Sequence, residues 1–180
     1  MKILLHTCCA PCLIYPLEAL KKKKIKVSGF FYNPNIHPVG EYQKRRQAVV
    51  DLSSVRKLEV IFPAYTPSEF IAATETKKEA PARCALCWGL RLERTAQAAQ
   101  EKGFDGFTTT LLVSPYQDQE LLKRIGMDIA DKLGIYFYYE DFRPGFRKAH
   151  QQAKDKGIYC QNYCGCAYSE MERCKKSSKS

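Results

Sequence analysis

Residues Ile3-Leu-Leu-His-Thr-Cys-Cys-Ala-Pro-Cys12 decide how the rest of the chain is read. The apolar run Ile3 to Leu5 has the character of a buried strand. Cys8, Cys9 and Cys12 then place three thiols within five positions, and Pro11 suits the opening turn of a helix. A strand feeding a loop and then a helix presents that loop at the carboxyl edge of a parallel sheet, where open α/β folds take their ligands. A single cysteine there reads as a small hydrophobe near a core. Three of them concentrate thiolate chemistry at the expected active edge.

Working outward, strands and helices alternate. Leu13 to Lys24 reads as a helix with lysines near its end, where they complement the helix dipole. A strand follows over Ile25 to Tyr32. Asn33-Pro-Asn-Ile-His-Pro38 breaks it into a loop, because two prolines and two asparagines punctuate it. Glu41 to Arg56 is a polar-faced helix carrying Arg45 and Arg46, and Leu58 to Phe62 is a third strand. Thr66-Pro-Ser-Glu69 has the pattern of a capping box with proline at the first helical position. Thr74 to Arg83 is charged and irregular. Cys84 to Lys102 is a helix closed by Gly103. Phe107 to Val113 is a fourth strand, stopped by Ser114-Pro-Tyr116, and Gln119 to Leu133 is a helix ending at Gly134. Ile135 to Tyr139 is a fifth strand and Arg147 to Lys156 the last helix; from Gly157 the chain reads as loop. The pattern predicts an α/β protein: a Rossmann-like three-layer open parallel sheet of about five strands with right-handed crossovers. One domain spans 1–180, an α/β core over 1–156 with an irregular cysteine-rich segment, 157–180, packing over the active edge.

Composition narrows the function. The 180 residues are 45% hydrophobic and 27% charged, as in ordinary globular proteins. No apolar run approaches the roughly 20 residues that span a bilayer, and the stretch after Lys2 is too short and cysteine-rich for a secretory signal. A cytoplasmic setting with no membrane partner is therefore expected, where clustered cysteines bind metal or do redox chemistry. The net charge of +10, from 29 basic and 19 acidic residues, suits a polyanion such as a nucleic acid. Part of that excess sits in a basic end, Lys175, Lys176 and Lys179. No Gly-rich dinucleotide fingerprint or phosphate-binding loop is present.

The nine cysteines fall into three groups: Cys8, Cys9 and Cys12; Cys84 and Cys87; and Cys160, Cys164, Cys166 and Cys174. Cys84-Ala-Leu-Cys87 at a helix entrance points both sulfurs one way, which alone fits a redox dithiol, a zinc knuckle or cluster ligands. With Cys8 and Cys9 it supplies four thiolates, the number a structural zinc or a [4Fe–4S] cluster requires. Adjacent cysteines are expected to diverge, which suits the separated corners of a cubane better than one ion. Cys164-Gly-Cys166 can close a strained, labile disulfide or ligate a second metal. Cys12 stands open as a spare ligand, a proton donor or a helix-face residue, and Cys160 and Cys174 read as packing or exposed thiols. His6, His37 and His150 have no histidine partner at metal spacing. Phe30, Phe31 and Tyr32 read as core. Tyr116 and Tyr163, in loops expected to face the cysteines, are candidates to stack on a substrate ring, and Arg143 and Arg147 to meet phosphates.

Taken together, His6-Thr-Cys-Cys-Ala-Pro-Cys12, Asn33-Pro-Asn-Ile-His-Pro38, Glu41-Tyr42, Arg83-Cys-Ala-Leu-Cys-Trp88, Thr108-Thr-Thr-Leu-Leu-Val-Ser-Pro-Tyr116, Asp141-Phe-Arg143 and Tyr163-Cys-Gly-Cys166 resemble the QueH family of non-cobalamin epoxyqueuosine reductases. The blocks cover nearly the whole chain in order. The resemblance implies reduction of epoxyqueuosine to queuosine at the anticodon wobble position of tRNA. It also implies a [4Fe–4S] cluster on Cys8, Cys9, Cys84 and Cys87, with Cys164 and Cys166 as a redox-active pair. Deoxygenating an epoxide takes two electrons while a cluster passes one at a time, so a second centre is reasonable, either that dithiol or a second, mononuclear iron on spare thiolates. A ferredoxin-like protein is expected as electron donor. Competing readings are a desulfidase-like iron–sulfur enzyme acting on a nucleobase or tRNA, and a zinc-stabilised RNA-binding module.

Overall fold

A computed structural model of the chain describes residues 1–177; Lys179, part of the basic end, lies outside them. Five parallel strands form one sheet: β1 (Lys2–His6), β2 (Lys26–Phe30), β3 (Val60–Ile61), β4 (Gly106–Thr109) and β5 (Tyr136–Phe137). Their spatial order is β3-β2-β1-β4-β5. Ile3 pairs with Val27 on one side and Gly106 on the other, so β1 is central and fully flanked. Both faces of a parallel sheet are covered by helices, which is why Ile3, Leu4 and Leu5 are all buried.

The helices are α1 (Ala10–Lys22), α2 (Val39–Arg56), α3 (Pro67–Thr74), α4 (Ala82–Glu101), α5 (Gln119–Leu133), α6 (Phe146–Asp155) and α7 (Ala167–Ser177). Helix α1 packs with α2 and α6, and α4 packs with α5 against β1 and β4. The chain leaves β1 toward β2 but returns from β3 to β4 on the opposite side of β1. Connections therefore diverge between β1 and β4, the switch point at which open α/β sheets form a crevice.

The expected α/β core is present, with three differences of detail. The run read as a strand to Val113 leaves the sheet after Thr109 and coils into a 3-10 turn over Thr110–Val113. Thr109 turns it, its Oγ1 accepting from the Leu111 N–H at 3.0 Å. Thr66 precedes α3 without capping it through its side chain, and Glu69 instead accepts from the Tyr32 hydroxyl. The tail is not loop throughout, since Ala167–Ser177 is helical. No helix among the described residues is long and apolar enough to cross a membrane.

Close approach at one glycine tests the packing of α5 on the sheet. A Cβ at Gly126 would lie 2.3 Å from Phe137 Cε1, and that ring is buried against Phe107 and cannot swing away. Overpacking costs about 1–3 kcal/mol, whereas the gain in helix propensity from glycine to alanine is about 1 kcal/mol. Gly126→Ala is expected to lower the urea midpoint with an unchanged slope; a midpoint at or above that of the wild type would contradict this packing.

Candidate metal and active site

The first thiol group occupies the crevice between β1 and β4. Its loop is anchored on both sides: Thr7 N–H donates to the Phe30 carbonyl at 2.9 Å, and Asn33 Nδ2 donates to the Thr7 carbonyl at 2.9 Å. Cys8 N–H donates to Thr110 Oγ1 at 3.0 Å, and that hydroxyl lies 3.2 Å from Cys8 Sγ. Cys9 is the N-cap of α1, in extended conformation, and Cys12 is three residues on. This is the relation that brings a cap side chain against the third helical residue. The ligand atoms of Cys8, Cys9 and Cys12 all lie within 4.8 Å of one another. Cys8 and Cys9 sulfurs are 3.7 Å apart, so adjacent thiols expected to diverge converge instead. Hydrogen bonds from Cys12 and Cys9 hold the Cys8 thiol well below its ordinary range. Burial pushes Cys9 up, and donation to Cys8 pushes Cys12 up. Without a metal, the triad stabilises one thiolate, on Cys8.

The second group assembles at the start of α4. Cys84 and Cys87 lie three residues apart on that helix, hence on one face. Cys87 is buried with Phe70 and Cys166 in a small cluster beside the main core. Burial pushes the Cys87 thiol up to about 11. Cys164 is exposed, with its sulfur 3.9 Å from that of Cys166. A thiol hydrogen bond from Cys166 lowers Cys164 to about 5, and the same bond raises Cys166. The expected disulfide is therefore absent here: at 3.9 Å the two are free thiols, well beyond the roughly 2.05 Å of an S–S bond.

Two buried arginines fasten the tail that carries this pair. Arg45 of α2 pairs with Glu41 at 2.7 Å and donates to the carbonyls of Cys164 (3.0 Å) and Tyr163 (3.1 Å). Arg83 of α4 makes a forked contact to Glu172 at 2.9 and 3.2 Å. The tail also meets the loop after β2: His37 N–H donates to the Gly165 carbonyl at 2.7 Å, and Tyr163 donates its hydroxyl to the His37 carbonyl at 2.6 Å. Gln161 Nε2 reaches Cys9 Sγ at 2.8 Å, so the tail touches the first thiol group as well.

Between the two groups lies a buried polar network. Arg91, 4% exposed, donates through Nε to His6 Nε2 (3.3 Å) and through a terminal nitrogen to Asn33 Oδ1 (2.8 Å). Its other terminal nitrogen lies 3.9 Å from Cys87 Sγ. His6 Nε2 also lies 3.2 Å from the Tyr32 carbonyl, and Nδ1 lies 2.9 Å from Thr109 Oγ1. Burial, and then Arg91, lower the His6 imidazole to about 3, keeping it neutral.

The sequence-derived candidates are thus divided. The structure gathers Cys12 with Cys8 and Cys9, and sets Cys84 and Cys87 with Cys164 and Cys166. Among the described residues the Cys8–Cys9–Cys12 triad is the one set of three or more potential ligands this close. Tyr116 is 83% exposed and rests edge-on against Phe146, free to meet a ligand. Tyr163 is half-buried with its hydroxyl spent on His37 and its ring near Arg45, which makes it a pin for the tail. Arg143 is half-exposed and paired with Asp141 at 2.6 Å. Sequence reasoning missed Arg91, Asn33, Thr110 and Gln161. Asn33 and Thr110 lie within motif blocks that carry the resemblance, and Arg91 stands four residues after Cys87, on the same helical face.

Comparison with known proteins decides the family. The sequence model described as "Epoxyqueuosine reductase QueH" matches residues 3–172. The chain belongs to the QueH family. It is 38% identical over 185 residues to the epoxyqueuosine reductase QueH of Thermotoga maritima, covering 98% of this chain and 94% of that protein. Relatives of the same name from Dehalococcoides mccartyi and Staphylococcus epidermidis are each 35% identical, with 96% of this chain covered and 94% and 77% of theirs.

A thiol lowered to about 5 is a thiolate throughout the neutral range. In metal-free, reduced QueH protein, alkylation of Cys164 by iodoacetamide is expected to hold a constant rate from pH 6.5 to 8.5 and to fall only toward pH 5. Peptide mass spectrometry reads it. A tenfold rise per pH unit over that window would contradict the shared proton.

Proposed function

We propose that the protein reduces epoxyqueuosine to queuosine at the wobble position of tRNA, using a [4Fe–4S] cluster. The observation that carries this reading is the convergence of buried thiols at the sheet's switch-point crevice in a QueH-family chain. Converting an epoxide to an alkene consumes two electrons and two protons and releases the oxygen as water. The net charge of +10 suits the tRNA backbone, and exposed Tyr116 and Arg143 are the side chains available at this edge to meet base and phosphate.

The donor set fits the group. Soft thiolates select iron–sulfur clusters, copper(I) and zinc, and Cys8, Cys9, Cys84 and Cys87 supply the four that a cubane takes. When bound, the cluster would supply single electrons from a ferredoxin-like donor. Closing Cys164 and Cys166 into a disulfide releases two electrons and two protons, the amount the deoxygenation consumes. Gly165 between them, at φ +122°, gives the turn freedom to bring the sulfurs together. Thr110 and Gln161, bonded to Cys8 and Cys9, orient the thiols and cover them from water.

One observation favours a second division of labour. Thiolates about 2.3 Å from a shared tetrahedral ion sit roughly 3.8 Å apart, close to the 3.7 Å between Cys8 and Cys9. With Cys12 beside them, the triad suits a single iron, leaving Cys84, Cys87, Cys164 and Cys166 to the cluster.

Iron and sulfide counts on anaerobically purified protein, with tRNA product followed by nucleoside mass spectrometry, test both. The preparation is expected to be brown, with about four irons and four sulfides for the cluster. Cys84→Ala and Cys87→Ala are expected to lose cluster and product together. Full iron in either variant would end the four-ligand assignment. Loss of a single iron in Cys12→Ala, with sulfide unchanged, would establish the mononuclear centre. A colourless zinc protein inactive on tRNA would overturn the reductase mechanism.

A further inference from the structure

Three buried arginines surround the thiol groups, and two have carboxylates. Arg45 pairs with Glu41 and Arg83 with Glu172. Arg91 has none: among the described residues it forms no ion pair, and its partners are the His6 imidazole, the Asn33 amide oxygen and the thiol of Cys87. Burying a cation without an opposite charge is strongly unfavourable. A sequence that does so reserves the charge for an anion that arrives later. The neighbours that can become anionic are the thiols. Cys87 is at 3.9 Å, and His6 ties the guanidinium to the strand end two residues before Cys8.

We propose that Arg91 is the built-in counter-charge of the thiolate-bound redox centre, a positioning residue that makes the centre easier to reduce. This rests on the iron–sulfur reading above but not on how the ligands are divided, because Cys87, the thiol Arg91 touches, is a cluster ligand in both divisions. A four-thiolate cluster carries net negative charge and gains more on reduction. A fixed guanidinium at its edge favours the reduced form, and His6 and Asn33 fix its direction. Neither neighbour offers a carboxylate to neutralise the charge.

The test is the reduction midpoint of the reconstituted cluster, measured by spectroscopic titration alongside iron content and melting temperature. Arg91→Gln is expected to make reduction harder by tenfold or more in the one-electron equilibrium, about 59 mV per tenfold. Arg91→Lys, which retains the charge, is expected to stay within threefold of the wild type. If Arg91→Gln cannot be folded or loaded, Asn33→Asp decides. That variant leaves the guanidinium in place and neutralises it, at the cost of the bond to the Thr7 carbonyl. It is expected to shift the midpoint in the same direction by a comparable factor. A wild-type midpoint in loaded Arg91→Gln overturns the proposal, as does an Arg91→Lys shift as large as that of Arg91→Gln. Where Arg91→Gln cannot be loaded, an unshifted Asn33→Asp overturns it. A wild-type protein that carries no cluster fails the iron–sulfur reading instead, and the iron count distinguishes the two failures.

Discussion

Bringing many thiols into one low-dielectric place is the constraint on which this structure turns. Thiolates repel one another, and burial penalises each, which is why Cys9 and Cys12 are pushed up while Cys8 takes the one favoured charge. Two unit charges 4 Å apart interact by about 4 kcal/mol at an effective dielectric near 20. A pocket that is to hold several thiolates therefore needs positive charge of comparable strength within reach. Arg91 provides it from inside the protein, directed by His6 and Asn33 rather than neutralised by a carboxylate.

The fold delivers the thiols by three separate routes. β1 ends in the switch-point crevice and presents Cys8 and Cys9, with Cys12 brought alongside by the first turn of α1. The return crossover starts α4 at the same edge and presents Cys84 and Cys87. The tail supplies Cys164 and Cys166, packs Ile158, Cys160, Cys166 and Tyr168 against the body, and is fastened further by charge. Arg45 grips the backbone at Tyr163 and Cys164, and Arg83 grips Glu172. The Arg45–Glu41 pair holds the guanidinium in place, and each hydrogen bond from that charged group to the tail carbonyls typically contributes about 1.5–3 kcal/mol. The same segment reaches Cys9 through Gln161, so the tail closes over both thiol groups.

How much of this was readable beforehand follows from the range of each interaction. β1 and its cysteine loop were legible because a buried parallel strand is a continuous apolar run. Helix α5 was read to its exact ends because Asp118 caps it and Gly134 stops it locally. The composition of Thr110–Val113 is β-like and points to strand; one hydroxyl, that of Thr109, bends it into a turn. α7 was read as loop, yet Glu172 of that helix pairs with Arg83 across 89 positions, which no local pattern reveals. The unpaired state of Arg91 is likewise a property of the assembled fold, whereas the nearness of Cys12 to Cys8 and Cys9 is local, set by the cap of α1.

Anomalous diffraction at the iron edge, on crystals of anaerobically prepared protein, measures the central claim most directly. Every iron is expected within bonding distance of sulfurs from Cys8, Cys9, Cys12, Cys84, Cys87, Cys164 or Cys166, with the Arg91 guanidinium facing the metal-bearing thiolates. Anomalous density confined to Cys160 or Cys174, or a zinc edge in place of iron, would contradict it.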